Sequence, residues 1–140
     1  MKQFVLTLFL ICGALGLLTS CNSQNTLTGL NVELTSLENS SDGSVTATVR
    51  IGNPTLVAFN IVSAEHKLIV DGRTVGTLKI TQPIGMAPQT IAEHVGVVKG
   101  TSNVARGAGA YRIESKLELR LYGENTRDIK LQGSGTVAVK

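Results

Sequence analysis

The sequence predicts an all-β domain of about seven strands behind a short apolar leader. Three observations carry this reading. Apolar residues recur with period two through most of the chain after residue 30, which is the pattern of half-buried strands. Turn signals built on Gly, Pro, Asn and Asp separate those runs at spacings of about 8 to 12 residues, as in small β-sandwiches. Beyond the leader, no stretch sustains the 3.6-residue apolar period of an amphipathic helix.

The leader comes first. Lys2 is its one charge, followed by an apolar stretch over residues 4–18 that is interrupted only by Thr7, Gly13 and Gly16. Fifteen residues fall short of the roughly 20 that cross a bilayer as a helix, so the stretch reads as a cleaved secretory signal. Leu18-Thr19-Ser20-Cys21 then resembles the bacterial lipobox, in which the thiol of the first mature residue is alkylated by diacylglycerol before the signal is cut away. Cys21 is therefore the expected lipid-attachment residue. The plainer alternative is an ordinary signal peptide that ends near a cysteine. Of the two cysteines, Cys12 leaves with the signal and Cys21 carries lipid, so no disulfide is expected. Each buried methylene contributes about 0.8 kcal/mol, and two or three acyl chains hold a protein to a membrane essentially permanently. Asn22, where inner-membrane retention typically uses Asp, implies a lipid-anchored protein of the bacterial envelope at the outer membrane.

The predicted organisation is a lipoprotein signal peptide over residues 1–20, a flexible tether over 21–29 and one β domain over 30–140. Residues 22–29 are rich in Asn, Ser and Thr, which suits a tether. Leu30, Val32 and Leu34 share one parity and open the first strand. After Asn39-Ser40-Ser41-Asp42-Gly43, the residues Val45, Ala47, Val49 and Ile51 alternate with Thr46, Thr48 and Arg50. Asn53-Pro54 ends that strand, because proline lacks the N–H that a ladder needs and biases the residue before it. Val62, Ala64, His66, Leu68 and Val70 lead to Asp71-Gly72, a strong hairpin signal since both central positions of a type I′ turn need positive φ. A strand over 75–80 runs away from it. Residues 84–90, with Pro83 and Pro88, read as an irregular crossing, and 91–98 as a strand of unassigned face. A long loop is expected over 99–110. Tyr111, Ile113, Ser115, Leu117, Leu119 and Leu121 alternate with Arg112, Glu114, Lys116, Glu118 and Arg120, the cleanest amphipathic strand in the chain. Residues 129–131 and 137–139 complete the set. The expected architecture is a sandwich in the immunoglobulin or fibronectin type III style, without the Cys, Trp, Cys core of antibody domains.

Composition excludes several functions. The chain has 140 residues, enough for one domain, with 42% hydrophobic and 16% charged, which fits neither a multidomain enzyme nor a disordered tail. A net charge of +3, with no basic run, is no nucleic-acid footprint. The lack of Trp argues against stacking platforms for bases.

Catalytic and metal signals are weak. His66 and His94 lie in separate strand-like runs without His-x-His or Glu-x-x-His spacing, so no metal or cofactor is expected. His66 shares the parity of Leu68 and Val70, which suits a hydrogen-bonded core or sheet-edge histidine. Gly-x-Ser-x-Gly does not occur, and Gly133-Ser134-Gly135 reads as a bulge or a close backbone approach. Gly107-Ala108-Gly109 precedes a strand rather than a helix, unlike a phosphate loop. The alternating charges from Arg112 to Arg120 read as a solvated sheet face that resists edge pairing. Lys99, Arg106 and Arg112 could gather against anionic lipid head groups. The chain is not expected to be an enzyme.

The order Val-Thr-Ala-Thr-Val-Arg-Ile-Gly-Asn-Pro-Thr over 45–55, Lys-Leu-Ile-Val-Asp-Gly-Arg-Thr-Val-Gly over 67–76 and the prolines at 83 and 88 resembles the late embryogenesis abundant type 2 family, also called the water stress and hypersensitive response domain. Asn53-Pro54, Val70-Asp71-Gly72, Ala87-Pro88 and Gly133-Ser134-Gly135 stand at that family's marker positions, and the likeness spans about 30–140. Thr55 departs from the family's frequent second Asn. The resemblance implies a fibronectin-like sandwich, a link to desiccation, osmotic or cold stress, no enzymatic activity, and structural roles for Asn53, Pro54, Asp71 and Gly72. The expected partners are the membrane, through the N-terminal lipid, and lipid head groups or an envelope protein. A rival expectation is an assembly module that binds one specific envelope protein.

Overall fold

The computed structural model describes residues 29–100 and 103–140. The signal over 1–20, Cys21 and the tether as far as residue 28 lie outside the described residues. Eight strands account for the domain: β1 (Asn31–Asn39), β2 (Val45–Asn53), β3 (Phe59–Val70), β4 (Arg73–Ile80), β5 (Ile84–Met86), β6 (Thr90–Val97), β7 (Gly107–Leu121) and β8 (Thr126–Val139), with no helix among the described residues. Seven form one hydrogen-bonded path, β4-β3-β7-β8-β1-β2-β6, and β5 pairs with β3 off that path. Neighbours are antiparallel except β1 and β8, which run parallel at Leu37 and Val139. The fold is thus all-β, as expected, in a single curled sheet.

Curling brings the two ends of the path together. Thr77 and Lys99 exchange backbone hydrogen bonds of 2.8 and 2.9 Å, linking β4 to the segment that follows β6. Gly76 makes this possible. A Cβ there would collide with the Lys99 carbonyl oxygen, and the backbone holds φ at +148°. Gly133 has the same role between β8 and β1, where a Cβ would collide with the Val32 carbonyl oxygen.

Strand β7 lies between β3 and β8 with one face on the core and the other toward solvent, and it has no bulge in its pairing with β8, so its sequence alternates throughout. Tyr111, Ile113, Ser115, Leu117, Leu119 and Leu121 all point into the core, and the charged residues between them face outward or lie half-buried. Bulges change parity elsewhere. In β3 the inward set begins as Phe59 and Ile61, and a register shift between Ile61 and Ser63 transfers it to Ala64, His66 and Leu68. In β1 a shift between Leu34 and Ser36 turns Leu37 inward. The segment expected to be an irregular crossing contains β5, whose three residues pair with Phe59, Asn60 and Ile61. The loop expected over 99–110 is shorter, because residues 107–110 already pair with β8. Asp71 and Gly72, at φ 48° and 76°, form the hairpin turn between β3 and β4.

The two ends of the sheet differ in chemistry. The chain arrives at Gly29, whose position packs against the Pro54 ring. This proximal end carries residues 54–58 between β2 and β3, residues 87–89 between β5 and β6, and the turn after Leu121, which pairs with Phe59. The distal end carries the turn over 40–44, Asp71-Gly72 and the segment between β6 and β7.

Candidate functional site

Three polar side chains occupy inward positions that neighbouring residues fill with apolar groups. Ser115 on β7 lies between Ile113 and Leu117, and is register-paired with His66 on β3. His94 on β6 reaches the same point from the facing part of the sheet. Ser115 Oγ lies 2.7 Å from His66 Nδ1, and His66 Nε2 lies 3.2 Å from His94 Nδ1. The imidazole rings are 5.4 Å apart between centroids and tilted by 53°. His94 Nε2 is buried without a hydrogen-bond partner.

Burial decides the protonation of this relay. Desolvation, assisted by the neighbouring His94, pushes His66 down to about 3, and desolvation also lowers His94. Both rings are therefore neutral near pH 7. The proton order that leaves fewest atoms unpaired has Ser115 Oγ–H donating to His66 Nδ1 and His66 Nε2–H donating to His94 Nδ1. His94 then keeps its proton on the unpartnered Nε2. The reverse order strands the serine proton as well.

A serine, a histidine and a third group in line are the parts of a nucleophilic relay. The surroundings oppose that use. Relative exposure is 0% for His66, 2% for His94 and 3% for Ser115, so a substrate has no approach. A base held near 3 is also mismatched to proton abstraction near neutrality. The outer group is a neutral imidazole rather than a carboxylate, and has no charge with which to stabilise an imidazolium. No group of three or more His, Cys, Asp or Glu among the described residues could hold a metal ion. Chemically, the arrangement is a polar pin between two parts of the sheet.

The sequence-predicted motif positions form a second, separate set. Asn53 is buried and uses its whole side chain: Nδ2 donates to the Val57 and Ala87 carbonyls at 2.9 and 3.0 Å, and Oδ1 accepts from Thr55 N–H at 3.1 Å and Thr55 Oγ–H at 2.7 Å. It ties the loop over 54–58 to the segment before β6. Thr55, which departs from the family pattern, supplies two of those four bonds. Pro54 is exposed at the proximal end, against Gly29. Asp71 lies at the distal end, where its N–H donates to the Ala110 carbonyl at 2.8 Å and its Oδ1 accepts from Ala110 N–H at 2.9 Å, fastening the turn at Gly72 to the start of β7. Lys99, Arg106 and Arg112 lie toward that same distal end, away from the point where the tether arrives. Cys21 is outside the described residues.

The outward face of the central strands is laced with ion pairs, Lys67–Glu114 at 3.7 Å, Arg112–Glu114 at 3.2 Å and Lys116–Asp128 at 3.8 Å. Such exposed pairs contribute little to stability. Sequence reasoning left His66 as a hydrogen-bonded core or sheet-edge histidine, and the structure places it in the core; its meeting with His94 and Ser115 was missed. The available signal was a polar residue at an inward position in the apolar stripes of β3 and β7; on β6 the large apolar residues Ile91, Val95 and Val97 face outward, so His94 gave no such signal.

With this geometry in place, the fold is similar to the solution structure of a protein described as late embryogenesis abundant (LEA). The TM-score is 0.52 at 13% identity, over 84% of this chain and 75% of that one. Two further solved structures match with lower scores. A protein from Archaeoglobus fulgidus gives a TM-score of 0.44 at 12% identity, over 79% of this chain and 95% of that one. PapD-like domain 7 of human CEP192 gives 0.43 at 13% identity, over 88% and 94%. At such identities the likeness is one of fold. No protein-family model and no curated protein matches the sequence.

Proposed function

We propose that the chain is a lipid-anchored lipoprotein of the bacterial envelope, held at the outer membrane through Cys21, with a non-catalytic domain that protects envelope components during water loss. The observation that carries this reading is the curled all-β sheet shared with the LEA-described protein at a TM-score of 0.52. The closure of that sheet on itself supports a fibronectin-like sandwich lineage. Leu18-Thr19-Ser20-Cys21 supports the anchor. The sealing of Ser115, His66 and His94 in the core supports a role without catalysis, leaving the outer faces and loops as the working surface. Those faces mix opposite charges at close spacing, which suits weak contact with many partners rather than strong binding to one. Deleting the gene and scoring survival after drying, high salt and freezing tests the role. Survival should fall, wild type should restore it, and Cys21→Ala should not; unchanged survival would contradict the proposal.

A second reading is an assembly module for one envelope protein. It is favoured by Val95 and Val97, exposed at 62% and 56% on the outward face of β6, the last strand of the path. Crosslinking in cells separates the two readings, because one dominant adduct favours the module and a diffuse distribution favours protection.

A further inference from the structure

The two ends of the sheet carry very different side chains. Residues 51–64 and 80–92 contain no Asp, Glu, Lys, Arg or His, and they supply two of the connections at the proximal end, 54–58 and 87–89; the turn over 122–125 there carries Glu124. The distal turns and segments, by contrast, carry Asp42, Asp71, Lys99 and Arg106. At the proximal end Leu56 is 80% exposed, Ile91 is 64% exposed, and Tyr122 projects fully into solvent. These are three of the five large hydrophobic residues exposed among the described residues.

All three lie at the proximal end. Asn31, Gly52 and Ile91 lie side by side at the ends of β1, β2 and β6. Leu56 follows Gly52 by four residues, in the loop that Asn53 ties to Ala87. Tyr122 lines a hollow with Ala58, Met86, Ala87 and Arg120. The charged groups nearest to it are Arg120, exposed in the same hollow, and Glu124, which is ion-paired with Arg127.

The chain itself says what this end faces. It arrives at Gly29, against Pro54 of the uncharged loop over 54–58. From Cys21 to Gly29 is eight residues, which span at most roughly 30 Å when fully extended. An acyl group on Cys21 therefore keeps the proximal end close to the membrane that it enters. Uncharged loops can approach the headgroup boundary without the desolvation penalty of a buried ion. An apolar body with a polar tip, as in tyrosine, settles at that interface, where exposed leucine and isoleucine insert their side chains.

We infer that the proximal end of the sheet, through Leu56, Ile91 and Tyr122, rests on the phospholipid surface, so that the distal end and its charged turns point away from the membrane. This orientation rests on the lipid anchor proposed above and adds a defined contact face to it. It also removes Lys99 and Arg106 from the set of headgroup-binding residues expected from sequence.

The chain contains no tryptophan, so a single introduced indole reports its own surroundings. Full-length Leu56→Trp, Tyr122→Trp and Arg106→Trp variants are purified from membranes, checked for acylation by intact mass and reconstituted into phosphatidylethanolamine–phosphatidylglycerol vesicles that contain brominated acyl chains. All three positions are exposed, so the fold should tolerate the changes. The expected result is an acylated protein in which the Leu56→Trp and Tyr122→Trp variants shift to the blue and lose most of their emission to bromine, while the Arg106→Trp variant is unaffected. If the protein is acylated and neither proximal position is quenched, or the distal position is quenched equally, the orientation is overturned and the anchor stands. If the mass shows no acyl group and the protein does not bind the vesicles, both are overturned.

Discussion

Asn53 satisfies two donors and two acceptor positions within a single pair of loops, so its removal leaves several backbone groups without partners. Asn53→Ala should destabilise the domain by about 2 kcal/mol or more, read as a lower urea midpoint with an unchanged slope. Thr55→Ala should cost about half of that, because Thr55 N–H keeps its bond to Asn53 Oδ1. The buried relay gives a sharper test. Removing His94 moves the orphaned N–H from His94 to His66, whereas removing His66 strands both Ser115 and His94. His66→Leu should therefore be more destabilising than His94→Leu by about 1 to 3 kcal/mol. The same pair sets the acid behaviour. His66 binds a proton near 6.5 when unfolded and only near 3 when folded, so the unfolded chain holds more protons throughout that window. The His66 contribution is complete above about 6.5 and falls as the pH drops, by up to about 1.4 kcal/mol per unit, and the lowered His94 acts in the same direction. Unfolding midpoints measured from pH 7 to 4 should fall on this slope, and the His66→Leu/His94→Leu double variant should flatten it.

At the level of elements, the strands that obey strict alternation were the ones legible in sequence. β7 and the first part of β2 present one apolar face to the core and one polar face outward, with no bulge to interrupt the alternation. β1 and β3 were found with their inward sets correct on one side of each bulge, at Val32 and Leu34 and at Ala64, His66, Leu68 and Val70. On the other side, Leu37, Phe59 and Ile61 were not assigned and Val62 was placed inward. A one-residue register shift flips parity without any change in residue type to announce it. β5 was missed because its three residues form a strand only where the edge of β3 is already waiting for them. The relay was hidden for a related reason: His66 and His94 are 28 residues apart in sequence, and only the curl of the sheet makes them neighbours. Gly133 was legible as a close backbone approach, and the structure names its neighbour as Val32. Gly133→Val should separate β1 from β8 and destabilise the domain by about 3 kcal/mol or more, checked by thermal unfolding. Gly85→Ala is the fair comparison, since a Cβ there would lie 3.4 Å from the Asn60 side chain, and it should have a much smaller effect.

Taken whole, the molecule is a curled sheet with a sealed polar pin, a distal end whose turns carry charge, and a proximal end whose loops over 54–58 and 87–89, beside the tether, carry none. The sealed interior directs attention to the surface. The difference between the ends gives that surface a direction, provided that the N terminus is held by lipid. Metabolic labelling with radioactive palmitate, comparing wild type with Cys21→Ala and separating membrane from soluble fractions, tests that anchor most directly. The expected result is a labelled wild-type band confined to membranes, with the label lost in Cys21→Ala. An unlabelled wild type found in the soluble fraction would contradict the anchor and the orientation built on it.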